Sequence, residues 1–301
     1  MPALQKITVV GVGLIGGSFA LALKRAKAVG QVTGVGRSAE VLARAAELGI
    51  VDRTTRSMEQ ALDGADLVLI ATPVAQTGAI LDAIAPFLQP QTVVTDAGST
   101  KGDVIAAARS ALGDKIGQFV PGHPIAGRES NGPDAALAEL YVGKKTVLTP
   151  LPENATAAIE RVASAWTACG AIVHRLSAQQ HDRIFAAVSH LPHLLAYALV
   201  DQIERSADAE LLFQYAASGF RDFTRIAGSS PEMWRDIALA NRTALLSEIE
   251  SYMSQLTNLK TMLSVADGAG LHAMFANAQR ARQAWQGAIE AAEKQPKNGG
   301  D

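Results

Sequence analysis

The chain has 301 residues, a formal net charge of −2 at pH 7 and 48% hydrophobic residues, enough for two domains and too nearly neutral to imply a nucleic-acid or acidic-membrane partner. The sequence scan finds no apolar window of 18 or more residues to suggest a membrane span, and Met1 runs almost straight into the first strand, so neither a span nor a leader is expected. The single cysteine, Cys169, excludes an intrachain disulfide, reads as core filler, and fits a reducing, cytoplasmic compartment.

The first strand, residues 7–10, runs directly into GVGLIGGS, residues 11–18. Gly11, Gly13 and Gly16 fit G-x-G-x-x-G. The first permits the turn out of the strand, the second lets a pyrophosphate approach, and the third lets the following helix (19–27) pack close. Amides and dipole at that helix start, Leu14 and Ile15 included, favour phosphate. A second strand, 31–35, ends at Gly36-Arg37-Ser38, where a loop of this type usually carries an acid for a ribose hydroxyl; the first acid here is Glu40. An acid would repel a 2′-phosphate, whereas a guanidinium and a hydroxyl would bind it, so NADP is the preferred cofactor and NAD the other possibility.

Further strands are expected at 66–71, 92–96, 119–120 and 146–148, with amphipathic helices between them. That alternation predicts an α/β Rossmann-type N-terminal domain over residues 1–150, with ligands outside the carboxyl ends of the strands. The segments following those ends are therefore the candidate site: Thr72 and Pro73, then Asp96, Gly98 and Ser99, then His123. Asp96 and Gly98 are placed with the cofactor. Ser99 and Thr100 can cap the next helix, and Lys101 reads as a solvated helix charge. His123, held between Gly122 and Pro124, has little local reason to exist. It can take a proton from a hydroxyl near neutral pH. Arg128 and Glu129 follow and could close over the site.

Pro150, Pro152 and Asn154 mark a soft boundary, about 150–176, to a mainly helical domain over 151–301. Pro192 interrupts a helical pattern over 182–203, freeing a carbonyl one turn back, and Ser189 and His193 share a face beside it. No further ligand stands at metal spacing, so no metal is expected. Arg225, in GFRDFTRIAG (219–228), suits a substrate carboxylate, while Arg221 reads as a structural partner of Asp222. Leu245, Ile249, Tyr252, Leu256, Leu259 and Leu263 repeat at spacings of four and three on a long helix whose start is marked at residues 229–232, a seam that suits a second subunit. The polar tail, 293–301, is expected to be disordered.

Five stretches then match one family: GLIGGS (13–18), DAGSTKG (96–102), PGHPIAG (121–127), SHLPHLLA (189–196) and GFRDFTRIAGSSPEMW (219–234). The chain resembles the prephenate/arogenate (cyclohexadienyl) dehydrogenases of tyrosine biosynthesis. The resemblance implies a Rossmann-type domain followed by an all-α dimerisation domain. It implies oxidative decarboxylation of prephenate or L-arogenate, to 4-hydroxyphenylpyruvate or L-tyrosine, with NAD(P)+ as hydride acceptor. It places His123 on the ring hydroxyl with Ser99 assisting, and Arg225 on a substrate carboxylate. His193, Ser189, Glu129, Gly219 and Trp234 are placed at the substrate, Glu129 following an Arg128 that departs from the family. Two alternatives fit the glycine loop alone: another NADP-dependent dehydrogenase of the β-hydroxyacid type, which would use a lysine, and a non-catalytic NADP sensor.

Overall fold

A computed structural model of the protein describes residues 3–128 and 130–294. The chain opens with β1 (Leu4–Val10), α1 (Leu14–Arg25), β2 (Val29–Val35), α2 (Ala39–Glu47), β3 (Arg53–Thr55), α3 (Met58–Leu62), β4 (Leu67–Ile70), α4 (Thr77–Ile84), β5 (Val93–Asp96), α5 (Gly102–Leu112) and β6 (Phe119–Val120). These strands form one six-stranded parallel sheet in the order β3-β2-β1-β4-β5-β6. Every residue of β4 and β5 is buried, as expected for strands covered by helices on both faces. The strand order reverses between β1 and β4, and the crevice beyond their carboxyl ends is where such a sheet takes ligands.

One face of the sheet carries Phe19 and Leu23 of α1, packed with Tyr141 and Trp166; the Phe19 and Trp166 rings are 4.6 Å apart. The other face carries Leu62, Leu81, Ile84, Val104, Ala108 and Leu112 from α3, α4 and α5. A second sheet follows from β7 (Gly122–Pro124), β8 (Lys145–Leu148), α6 (Thr156–Ala168) and β9 (Ile172–Arg175), with β7 antiparallel and β9 parallel to β8. Asn154 ties the approach to α6 back to the large sheet. Its Oδ1 accepts the Leu151 N–H, and its Nδ2 donates to the carbonyls of Gly117 and Phe119. Residues 151–175 thus pack with the sheets that precede them.

A helical run then begins with α7 (Ala178–Phe185), started by a Ser177–Gln180 capping box. It passes through a π turn, Ala186–His190, into α8 (Leu191–Glu204). The π turn lies where Pro192 lacks the N–H that would reach back to Val188, so the interruption is met by widening the helix. By length and composition Ala178–Glu204 could cross a membrane, contrary to the sequence expectation. Within it His181, Phe185, Ala186, His190, Leu191 and Ala196 are buried in the fold, and 28% of its most apolar window is buried.

Next come α9 (Ala209–Gln214), α10 (Ser218–Thr224), a 3-10 turn (Arg225–Gly228), α11 (Pro231–Ala240), α12 (Arg242–Ser264) and α13 (Gly268–Lys294). Ser230 does cap a helix, accepting the Met233 N–H, but that helix is α11. The long helix expected from there is broken at Asn241, whose side chain turns inward to bond other elements. Two compact units emerge, Met1–Leu245 and Leu246–Asp301. In the first, Leu245 of the expected seam is buried. In the second, Tyr252, Leu256 and Leu263 are exposed in the single chain, as are Phe275 and Trp285. The turn between α12 and α13 holds Ala266 at φ 52, and Asp267 caps α13 through the Gly270 N–H. Glu293 and Lys294, expected in the disordered tail, complete α13; residues 295–301 lie outside the described residues.

Candidate functional site

The glycine loop lies at the carboxyl end of β1. Gly11 has φ 94, and a Cβ there would sit 2.7 Å from the Ala71 carbonyl oxygen. A Cβ on Gly16 would collide with the Gly11 carbonyl and lie 2.7 Å from the Val9 side chain. These two glycines are required by packing. Gly13 is different: among the described residues a Cβ there meets nothing within 4 Å, so the space beside it is open. Gly13 is also the N-cap of α1 and no side chain among the described residues caps that helix, which leaves the first-turn amides, those of Leu14 and Ile15 among them, directed at the open space. The buried Tyr141 hydroxyl donates to the Ile15 carbonyl at 2.6 Å and fixes the helix start. Thr72 and Pro73 follow β4 on the same rim, and the Thr72 Oγ1 is buried with no bonding partner among the described residues. A cradle of open amides with an orphaned hydroxyl beside it fits a dinucleotide. Gly36, Arg37 and Ser38 follow β2, with Arg37 exposed. The Ser38 hydroxyl accepts the Val41 N–H at 3.2 Å and so caps α2.

The loop after β5 departs from expectation in three places. Asp96, placed with the cofactor by sequence, is 1% exposed and its carboxylate faces inward. Oδ2 accepts the Gly98 N–H at 2.8 Å and the Lys101 ammonium at 2.5 Å, and Oδ1 accepts the Gly122 N–H at 3.0 Å. Lys101 is no solvated charge: it is 0% exposed, and its Nζ also donates to the Gly122 carbonyl at 2.7 Å. The pair therefore welds the Gly98–Ser99 turn to the start of β7, one residue before His123. Nor does Ser99 or Thr100 cap α5. That end is capped from a distant helix, by Asp182, whose Oδ1 accepts the Lys101 N–H at 2.9 Å and whose Oδ2 accepts the Gly102 N–H at 2.8 Å. Ser99 stays half-buried on the loop.

His123, on β7, meets the same helix. Its Nδ1 lies 2.8 Å from His181 Nε2, and His181 Nδ1 lies 2.8 Å from Asp182 Oδ1. Phe185 closes over the imidazole with ring centroids 4.9 Å apart. Burial, the neighbouring His181, the Lys101 charge and His190 together hold the His123 pKa well below 6.5, so the ring is neutral at physiological pH. Burial also pushes His181 down, against the bond from Asp182. For Asp182, burial raises the pKa, but the bonds from His181 and from the Gly102 and Lys101 amides outweigh it and leave the carboxyl below its ordinary value.

On the α8 side, His193 donates through Nδ1 to the Ser189 carbonyl at 2.9 Å and stacks on Trp234 with centroids 3.5 Å apart. Ser189 and His193 therefore meet through the Ser189 backbone. Burial lowers the His193 pKa, the Ser189 bond opposes that, and the Arg225 charge lowers it further. The Arg225 turn is anchored where the Tyr197 hydroxyl of α8 donates to the Ser229 carbonyl at 2.6 Å. Gly219 sits exposed in α10, and Arg221 and Asp222, expected as a pair, lie 3.7 Å apart with both side chains exposed. Glu129 lies outside the described residues, and Arg128 is exposed.

Three residues escape the sequence reading, His181, Asp182 and Asn241, and His190 enters it only as part of SHLPHLLA. Asn241 Nδ2 reaches the Asp182 carbonyl at 2.8 Å and His190 Nδ1 at 3.1 Å. His181 and Asp182 stand 58 residues from His123 and 81 from Lys101. The only local sign was an adjacent His-Asp pair one turn inside a capped helix. Cys169 is buried, and burial pushes its thiol well up, in keeping with core filler.

Comparison with known proteins gives two family matches, to the prephenate dehydrogenase nucleotide-binding domain over residues 19–175 and to the prephenate dehydrogenase dimerization domain over residues 177–277. A cyclohexadienyl dehydrogenase of Zymomonas mobilis is 37% identical, covering 94% of this chain and 97% of its own. A prephenate dehydrogenase of Bacillus subtilis is 35% identical, over 91% of this chain and 74% of its own. Among solved structures, the prephenate dehydrogenase of Aquifex aeolicus in complex with hydroxyphenyl propionate and NAD+ superposes with a TM-score of 0.88 at 36% identity, covering 93% of this chain and 97% of its own. The arogenate dehydrogenase of Synechocystis gives 0.81 at 30% identity, covering 93% of this chain and 100% of its own.

Proposed function

The chain belongs to the prephenate dehydrogenase family, and we propose that within the family reaction His123 is the general base, Ser99 assists it, and Arg225 holds the substrate's side-chain carboxylate. The enzyme is an NAD(P)-dependent oxidoreductase of tyrosine biosynthesis that oxidises and decarboxylates prephenate, L-arogenate or both. Family membership sets aside the β-hydroxyacid and sensor readings.

A single observation carries the assignment of the base. In the imidazole chain His181 has both nitrogens engaged, one by His123 and one by Asp182, whereas His123 is engaged through Nδ1, so its Nε2 is the nitrogen that can meet a substrate. The bound nicotinamide supplies the acceptor for the hydride that leaves ring C4. His123 Nε2 takes the hydroxyl proton as that C–H bond breaks. Loss of the ring carboxylate as CO2 restores aromaticity, and the proton returns from His123 to the ring oxygen, which is a hydroxyl again in the product. Arg225 belongs on the side-chain carboxylate, because a cation on the departing carboxylate would oppose its loss. His193, held flat on Trp234, forms the adjoining wall with Ser189. Gly219 is assigned to that side as well, as is Glu129. Binding geometry does the rest, holding C4 against the cofactor.

We place NADP ahead of NAD. Support comes from Arg37 standing exposed at the end of β2 with no acid before Glu40, and from Ser38, whose hydroxyl proton remains to donate while its oxygen caps α2. The active form is a homodimer of C-terminal helices, a reading supported by the dimerization-domain match and by the apolar residues α12 and α13 expose in the single chain; sedimentation as a 31.5 kDa monomer would contradict it. A cytoplasmic setting suits the single buried thiol. The deciding experiment measures kcat/KM for prephenate and for arogenate, each with NAD and with NADP. Turnover of at least one ring substrate, with NADP preferred, is expected. Turnover of neither contradicts the reaction, and equal efficiency with both cofactors contradicts the preference.

A further inference from the structure

We propose that Asp182 and His181 are positioning residues that fix the tautomer of His123, keeping its Nε2 unprotonated and turned to the substrate hydroxyl; the inference rests on His123 being the base. It follows from counting donors and acceptors. The Asp182 carboxylate only accepts, so His181 must carry its proton on Nδ1, 2.8 Å away. Neutral His181 then has only a lone pair at Nε2. His123 must donate to it from Nδ1, 2.8 Å away, which leaves the His123 lone pair on Nε2. Each ring is thus set by its neighbour, and the chain begins at a group that cannot turn. Both Asp182 oxygens are held by amides at the start of α5, and its main-chain carbonyl is held by Asn241.

The groups facing His123 come from four elements. His181 and Phe185 lie on α7, and His190 on the π turn. Lys101 precedes α5, its charge matched by Asp96 at the end of β5. None of them accepts a proton from His123 except His181. A carboxylate that orients a catalytic imidazole acts in this way elsewhere, where its replacement by an amide imposes the wrong tautomer and removes most of the turnover.

Three variants and one spectrum test the relay. Asp182→Asn can turn its amide NH2 to His181 and reverse the chain, leaving a proton on His123 Nε2. His181→Leu removes the acceptor but keeps the α5 cap. His181→Gln presents an Oε1 that still accepts from His123 Nδ1–H. The relay predicts that kcat falls about 10²–10⁴-fold in Asp182→Asn and His181→Leu and within about tenfold in His181→Gln, with substrate KM and cofactor affinity little changed. Long-range ¹⁵N–¹H correlation spectra of the histidine-labelled wild-type enzyme should show His123 as the Nδ1–H tautomer, which tests the chain even where a variant fails to fold. Wild-type kcat in both Asp182→Asn and His181→Leu, alongside an inactive His123→Asn, would overturn the relay alone, as would an Nε2–H tautomer in the wild type. Full activity in His123→Asn would overturn the base and the relay together.

Discussion

Arg225 and Arg37 are both cations at the ends of motifs, and they are assigned opposite ends of the bound pair. Arg225, whose charge is felt by His193, is proposed for the substrate side. Hydrogen bonds to charged groups contribute about 1.5–3 kcal/mol, so Arg225→Ala should raise substrate KM roughly 10- to 100-fold, with cofactor KM unchanged. An unchanged substrate KM would remove Arg225 from the site. Arg37→Asp places a carboxylate where a 2′-phosphate would lie and should move the kcat/KM ratio at least about tenfold towards NAD. No movement would make Arg37 a surface charge. His123 was legible because a histidine between glycine and proline has little local reason to exist. Asp96 and Lys101 misled because burial is tertiary. Nothing within DAGSTKG says that its acid and its lysine neutralise each other under the fold, while the Asp182 that caps α5 comes from 81 residues away.

The stretch α7, π turn and α8 carries three of the four clustered histidines, and all four are held neutral, His190 at a pKa of about 4 through burial and then His181. A histidine whose folded pKa is depressed contributes its full stability above the unfolded value of 6.5. That contribution is lost as pH falls, because the unfolded chain takes up a proton that the fold refuses. His190 alone should cost about 2 kcal/mol by pH 5. Urea midpoints should therefore drop between pH 7 and pH 5, above the ordinary range of carboxylates; a flat profile would contradict neutral, buried imidazoles. At this scale the sequence was readable where one residue decides: apolar runs made β4 and β5, and Pro192 signalled a disturbed helix. It was unreadable at Asn241, which a helix tolerates but which here stands between α11 and α12 with its side chain received by Asp182 and His190.

Across the whole molecule the parallel sheet gathers the chemistry. Gly11, Thr72, the Asp96–Lys101 turn and His123 follow β1, β4, β5 and β6, so residues more than a hundred positions apart share one crevice rim. That architecture was legible from alternating strands and helices. The seam on α12 was legible as a period, whereas what it faces is not written in one chain. His123 is proposed to remove the proton from the ring hydroxyl. The most direct measurement is kcat of His123→Asn with prephenate and with arogenate at saturating cofactor. A loss of about 10²–10⁴-fold with cofactor affinity unchanged is predicted. Near-normal turnover with either substrate would remove His123 from that role.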